Sequence, residues 1–299
     1  MSVERSAALH DVTEQPGAPK PDPILTVQNM RRAFGGLVAV NVEHVEFQRG
    51  CITALIGPNG AGKTTFFNLL TGFDDADTGR WNFDGSTFEA VSRRRPTPFK
   101  LARQGMVRTF QLTKSLTRLS VLENMKLGAT GQRGERFLTS LVKPMWSAQE
   151  RDIEARADAL LERFKLDHMR AEFAGNLSGG QRKLLEMARA LMADPRMVML
   201  DEPMAGVNPA LTQSLLGHVK DLRAEGRSVI FVEHDMDVVF DISDWVVVMA
   251  EGRVIAEGTP ESIGRNQQVI EAYLGSHHGA DLGEPEPKYH SVKEESVDE

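Results

Sequence analysis

Three stretches of the chain carry residue types whose spacing suits phosphate chemistry. The first is Gly57-Pro58-Asn59-Gly60-Ala61-Gly62-Lys63-Thr64-Thr65, two glycines five apart followed by lysine and a hydroxyl residue. Such glycines let successive backbone N–H groups curl around phosphates, Lys63 reaches the β- and γ-phosphates, and the Thr64 hydroxyl suits Mg²⁺. The second is Asp201-Glu202, at the end of the apolar run that starts at Arg196. Asp201 suits Mg²⁺, directly or through water, and Glu202 suits polarising the water that attacks a γ-phosphate. The third is Leu177-Ser178-Gly179-Gly180-Gln181, a serine and two glycines opening a helix. It offers bare N–H groups and a helix dipole to an anion, or else it is a simple capping turn.

Three single residues join these stretches, each with a plainer alternative. His234, in Glu233-His234-Asp235, follows an apolar run; a lone histidine there is usually a structural hydrogen-bonder, but behind a strand of a nucleotide-binding sheet a γ-phosphate contact is favoured. Gln111 reads as a glutamine delivered by a strand to Mg²⁺ or to the attacking water, or as a surface amide. Phe34, beside Gly35-Gly36, is either an aromatic on which adenine stacks or a core phenylalanine.

The elements that must position these groups follow from apolar periodicity. Thr53-Ala54-Leu55-Ile56 is a buried strand feeding the glycine loop, and the loop opens a helix from Lys63 to near Gly72. Ile24 to Asn29 and Val38 to Phe47 read as antiparallel strands, Arg80 to Gly85 as a strand meeting a turn, and Gly105 to Gln111 as a further strand. Ser120-Val121-Leu122-Glu123 has a capped helix start, and Glu150 to Lys165 carries apolar residues at helical spacing. Arg196 to Leu200 and Ser228 to Val232 are buried-strand patterns, Trp245 to Glu257 a closing hairpin, and Gln267 to Leu274 a terminal helix. An apolar stripe, Phe137, Leu138, Leu141, Val142, Met145 and Trp146, packs on its own domain or meets a partner.

Bulk properties narrow the class. The 299 residues are 41% hydrophobic, enough for a large core, and the net charge of −7 argues against nucleic-acid binding as the main function. Arg93-Arg94-Arg95 reads as a local basic patch or a solvated loop. A single cysteine, Cys51, excludes an intrachain disulfide and leaves a reduced cytosol as the default. No run approaches the roughly 18 apolar residues of a membrane span, so a membrane role needs another chain. Residues 1–23, rich in proline and without a signal-peptide pattern, are expected to be a disordered arm, and 276–299 a disordered acidic tail.

Taken in order, the set resembles the ATP-binding subunit of an ABC transporter, over roughly Ile24 to Gly275. The resemblance implies an α/β fold, a P-loop NTPase core with an antiparallel β subdomain and a helical subdomain, at about 112–193, carrying the signature at 177–181. It also implies two copies that sandwich two ATP molecules, each glycine loop facing the other copy's signature. Carried over by motif, Phe34 stacks on adenine, Thr64 and Gln111 bind Mg²⁺, Asp201 holds it through water, Glu202 is the general base and His234 contacts the γ-phosphate. One element departs from the common pattern: the loop after the carboxylates usually ends in aspartate and here reads Ala205-Gly206-Val207-Asn208-Pro209. That departure looks like the branched-chain amino acid importer subunits. So do Val107-Arg108-Thr109-Phe110-Gln111, the run from His234-Asp235-Met236 to Ile242-Ser243-Asp244, Glu257-Gly258-Thr259-Pro260 and Ala272-Tyr273-Leu274-Gly275. The stripe at 137–146 falls where that subgroup has an insertion beside the membrane-subunit contact.

The leading expectation is an ATPase subunit at the cytoplasmic face of the cell membrane. It would work as a homo- or heterodimer and power branched-chain amino acid uptake through transmembrane permease subunits and, indirectly, a substrate-binding protein. Urea or amide uptake and envelope-lipid export would use the same chemistry. A soluble ABC ATPase acting on ribosomes or DNA generally has two nucleotide domains or a long coiled coil in one chain, and this chain shows neither. A pure nucleotide-binding scaffold would not need Glu202 and His234.

Overall fold

The computed structural model describes residues 7–90, 97–109, 117–130 and 144–275. Gln111, the basic run at 93–95, the part of the apolar stripe from Phe137 to Val142 and the acidic tail lie outside the described residues.

Two sheets organise the chain. The first is antiparallel, with strands β1 (Pro23–Phe34), β2 (Leu37–Gln48), β4 (Thr78–Phe83) and β5 (Ser86–Glu89) in the order β2-β1-β4-β5. The second has six strands in the order β10-β9-β3-β8-β7-β6. They are β3 (Ile52–Ile56), β6 (Met106–Arg108), β7 (Met197–Asp201), β8 (Ser228–Val232), β9 (Trp245–Ala250) and β10 (Arg253–Gly258). Strands β9, β3, β8, β7 and β6 run parallel, and β10 returns antiparallel to β9. Five of these residues in β3 and five in β8 are buried without exception, the mark of strands covered on both faces.

Period-two alternation divides that sheet between two cores. Ile52, Ala54, Ile56, Val198, Leu200, Val229 and Phe231 face one core, built with α5 (Gly179–Leu191), α6 (Pro209–Ala224) and α7 (Met236–Ile242). Cys51, Leu55, Met197, Met199, Ile230 and Val232 face the other, which contains α1 (Lys63–Leu70) and the buried face of the antiparallel sheet. The segment expected to be helical holds α3 (Val121–Leu127), α4 (Pro144–Arg163) and α5, joined through Val121, Met125, Ala157, Leu161, Phe164 and Leu184. Helix α4 starts early enough to include Met145 and Trp146, the end of the apolar stripe. Short helices α2 (Pro98–Arg103) and α8 (Pro260–Ile263) and the terminal α9 (Gln267–Gly275) complete the chain. Ser120 caps α3 in a capping box with Glu123, and Asn208 caps α6 with Pro209 in its first turn.

The expectation of a disordered arm over 1–23 is corrected for residues 7–22, which are docked. Pro23 already belongs to β1. Leu9 and Ala18 are buried, and Lys20 reaches the hairpin at the far end of the sequence. Its Nζ donates to Glu257 Oε2 at 3.0 Å and to Ala18 O at 2.9 Å, and lies 4.5 Å from the centre of the Trp245 ring. Trp245 Nε1–H and the Ala18 N–H donate to the same carboxylate at 3.1 and 3.0 Å. Glu14 then accepts from the Thr259 N–H and hydroxyl at the start of α8. Composition is silent here because the arm has few apolar residues to bury, Leu9 and Ala18 among them, and relies as well on polar contacts to partners more than two hundred residues away.

The Lys20 and Glu257 side chains are 1% and 0% exposed, so removing one strands the other's charge in the interior. Lys20→Ala is expected to destabilise the chain by about 3–5 kcal/mol in urea unfolding, and the Lys20→Met, Glu257→Gln pair by much less. Equal unfolding midpoints for wild type and Lys20→Ala would show that the arm does not dock this way.

Candidate functional site

The glycine loop between β3 and α1 is shaped by close backbone approach. A Cβ on Gly57 would stand 2.0 Å from Met249 O, and one on Gly62 would stand 2.2 Å from Ala39 O; both have positive φ. Only glycine fits either place. Gly62 is also the N-cap of α1 and supplies no side-chain cap, whereas Thr97, Ser120, Ser178, Asn208, Asp235 and Thr259 cap their helices with side-chain oxygens. The first N–H groups of α1 are therefore left to an anion. Pro58, Asn59, Gly60 and Ala61 form the turn, with Asn59 and Gly60 exposed and Ala61 buried. Lys63 Nζ donates to the carbonyls of Gly57 at 2.7 Å and Pro58 at 2.9 Å. Burial holds its ammonium below the usual lysine range, against the opposing fields of Glu202 and Asp201. Thr64, exposed, and Thr65 lie in the first turn of the helix.

Parallel strands bring the second group to the same edge. Asp201 ends β7, and its Oδ2 accepts from Arg108 Nη2 at 2.5 Å. Glu202 follows in a left-handed conformation, φ +46°, which a non-glycine residue holds only when its surroundings enforce it. Its N–H donates to Val232 O at 3.1 Å, and its carbonyl accepts from Lys183 Nζ at 3.3 Å, so β8 and α5 both fix it. Glu233 is buried, its carboxyl pushed up by desolvation; it accepts from the N–H groups of Met204 and His234 and ties together the turns that carry Glu202 and His234. The His234 side chain itself is 68% exposed.

Lys63, Asp201 and Glu202 thus share one site, and Glu233 links it to His234. The signature stands apart, at the start of α5. Ser178 Oγ accepts from the Gln181 N–H, and Gln181 Oε1 accepts from the Ser178 N–H, a complete capping box. Gly179 has open space around it, while a Cβ on Gly180 would meet Leu211 Cδ2 at 1.8 Å. The capping-turn reading and the anion reading are compatible, since the box leaves the open Gly179 free to meet a second molecule. Phe34, the last residue of β1, is 46% exposed, with the Arg32 guanidinium 4.5 Å from its ring centre, so it is not a core residue.

Hard oxygen donors, Thr64 and Asp201, fit Mg²⁺. Among the described residues no group of three or more histidine, cysteine or carboxylate side chains forms a metal cage.

Sequence reasoning did not single out Arg108, Asn68, Glu233 or Glu186. Asn68 and Arg108 are ordinary polar residues in short apolar elements, Glu233 follows the last residue of β8, and Glu186 sits in a helix that already carries Arg182, Lys183 and Arg189, so none stands out from its neighbours. Glu186, on α5, is buried beside Arg189 along a groove that Phe99, Val107, Leu127 and Ala129 also line.

A family model described as ABC transporter matches residues 40–205, more than half of the chain. The chain belongs to the ABC transporter ATP-binding family. A second model, described as Branched-chain amino acid ATP-binding cassette transporter, matches residues 253–279 of the cassette. The cassette is 45% identical over 253 residues to the probable branched-chain amino acid transport ATP-binding protein LivG of Archaeoglobus fulgidus, covering 85% of this chain and 96% of that one. It is 40% identical over 255 residues to the high-affinity branched-chain amino acid transport ATP-binding protein BraF of Pseudomonas aeruginosa, covering 85% and 98%. A crystal structure of the ADP conformation of an ABC transporter cassette superposes with a TM-score of 0.72 at 38% identity, covering 85% of this chain and 99% of that one. The cassette is accordingly a nucleotide-binding ATPase with the α/β cassette fold. Asn208, where the common pattern has aspartate, accepts from the Leu211 N–H at 2.9 Å and so still caps α6.

Desolvation pushes the Glu186 carboxyl up to about 7, against Lys183 and Arg189 and with the field of Asp201. A raised folded-state pKa gives stability that is whole below the unfolded value and lost as pH rises through 7. Glu186→Gln is therefore expected to gain about 3 kcal/mol relative to wild type at about pH 8, and little at about pH 4. Urea unfolding at both pH values checks this; a gain independent of pH would mean that Glu186 is not buried in its charged form.

Proposed function

We propose that this cassette drives an importer of branched-chain amino acids from the cytoplasmic face of the membrane, as one of two ATP-binding subunits bound to transmembrane permease subunits. The observation that carries the ATPase chemistry is the meeting of Lys63, Asp201 and Glu202 at one edge of the parallel sheet. The cargo reading is supported by the match of residues 253–279 and by the printed function of the relatives. None of the described helices is long and apolar enough to cross a membrane, and in this reading the spans belong to the permease.

In the proposed reaction the loop from Gly57 to Gly62 and the open N-terminus of α1 receive the β- and γ-phosphates, with Lys63 leaving its loop carbonyls to pair with them. Phe34 supplies a face for adenine. Glu202 orients a water and takes its proton as the water attacks the γ-phosphorus, the bond from that phosphorus to the β,γ-bridging oxygen breaks with ADP carrying off the electron pair, and His234 holds a γ-phosphate oxygen. Ser178 and Gly179 of a second cassette close over the same nucleotide, with Gly180 and Gln181 holding their shape. Thr64, Asp201 and Gln111 would hold Mg²⁺, which neutralises charge on the β- and γ-phosphates when bound. A substrate-binding protein meets the permease on the opposite side of the membrane and does not touch this chain.

Reconstitution with the permease subunits encoded by neighbouring reading frames tests the proposal. ATP-dependent vesicle uptake of leucine, isoleucine or valine is the expected result. Uptake of urea or short amides with none of the three amino acids would leave the ATPase role standing and overturn the cargo.

A further inference from the structure

Arg108 belongs to no part of the reaction described above, yet it is tied to two elements of the site. It ends β6, the edge strand beside β7, in register with Met199, two residues short of Asp201. Its side chain is 8% exposed and extends along the sheet toward the strand tips. One arm of the fork, Nη2, donates to Asp201 Oδ2 at 2.5 Å. The other, Nη1, donates to Asn68 Oδ1 at 2.5 Å and to Thr71 Oγ1 at 3.5 Å, both in or at the end of α1. The guanidinium carbon lies 5.7 Å from the centre of the Phe67 ring, which adds a second restraint from the same helix.

This arrangement has a consequence for the metal-holding groups. Asn68 is four residues after Thr64, so the two lie on one face of α1. A single rigid cation thus spans from the helix that carries Thr64 to the carboxylate of Asp201, and fixes their separation. A lysine could supply the charge but not two directed bonds at a set angle. Among the described residues Asp201 Oδ1 accepts no hydrogen bond, so the fork orients the carboxylate through one oxygen and leaves the other for the ion's shell.

We propose that Arg108 is a positioning residue for the Mg²⁺ site, aligning Asp201 with Thr64 by bridging β7 to α1. This deepens the proposed function and rests on its reading that Thr64 and Asp201 hold the ion. Partners that orient a metal ligand from behind usually change metal affinity ten- to a hundredfold when removed, with little effect on ligands that do not use the metal.

The test is Mn²⁺ binding by the full-length chain in excess over a non-hydrolysable ATP analogue, read by electron paramagnetic resonance, beside ATP affinity in EDTA and the melting temperature. Arg108→Gln is expected to raise half-saturating Mn²⁺ about tenfold or more while ATP affinity in EDTA changes less than about twofold. Arg108→Lys, which keeps the charge, is expected to fall between. In an Asp201→Asn background Arg108→Gln is expected to add almost nothing, because the two act through one contact. If Arg108→Gln does not fold, Asn68→Ala cuts only the α1 arm and is expected to shift Mn²⁺ binding in the same direction. Unchanged Mn²⁺ binding in the folded variants, equal losses of Mn²⁺ and metal-free ATP binding, or a full shift that persists with Asp201→Asn would each overturn the proposal. Absence of Mn²⁺ binding by the wild type would instead overturn the metal reading on which it rests.

Discussion

The constraint on which the site depends is the wedging of the glycine loop between two sheets. Gly57 lies against Met249 O on β9 and Gly62 against Ala39 O on β2, with room for no side chain at either position. Two backbone hydrogen bonds close the joint: Asn41 N–H to Gly252 O at 2.7 Å, and Gly252 N–H to Ala61 O at 3.0 Å. The β9–β10 turn is therefore bonded to both the antiparallel sheet and the loop. The curvature that turns N–H groups inward is not a property of the glycines alone, because flexible residues become a cradle only when the walls on both sides are fixed.

From that joint the rest of the site follows by topology. Parallel strands connected through helices present their C-terminal ends on one side, where ligands of open α/β sheets gather. β3 delivers the loop, β7 delivers Asp201 and Glu202, and β8 delivers Glu233 and His234. Each tip is then fixed by a bond from a neighbour: Arg108 on Asp201, Val232 O and Lys183 on Glu202, and Glu233 on Met204 and His234. Charges of both signs are held close together here under partial burial, Lys63 in the field of Glu202 and Asp201 and Arg108 bonded to Asp201, so each lies against an opposite charge.

The sequence was most legible where function and local structure coincide. The glycine loop, the paired carboxylates and the signature are contiguous, and their flanking strands and helices have clean periodicity; Ser228–Val232 was read to the residue. Legibility failed where the deciding contact lies far along the chain. Lys20 looks like a solvated residue of a proline-rich arm until Glu257 and Trp245 stand beside it. Arg108 sits in a family-like run but shows its partners only when β6 meets β7 and α1. Helices α6 and α7 are weakly periodic and went unread, though Asn208-Pro209 and Asp235 are proper start signals.

In the proposed reaction Glu202 is the base of a site completed by a second copy of the chain. Size-exclusion chromatography of Glu202→Gln with Mg-ATP, alongside its turnover, tests this most directly. The amide can orient water but cannot take its proton, and it removes a negative charge facing the polyphosphate, so closure should persist while chemistry stops. The predicted result is a stable ATP-bound dimer with turnover lowered about 100-fold or more, and loss of that dimer when Ser178→Arg is added. Near-normal turnover, or an ATP-loaded monomer at high concentration even with the permease present, would contradict the account.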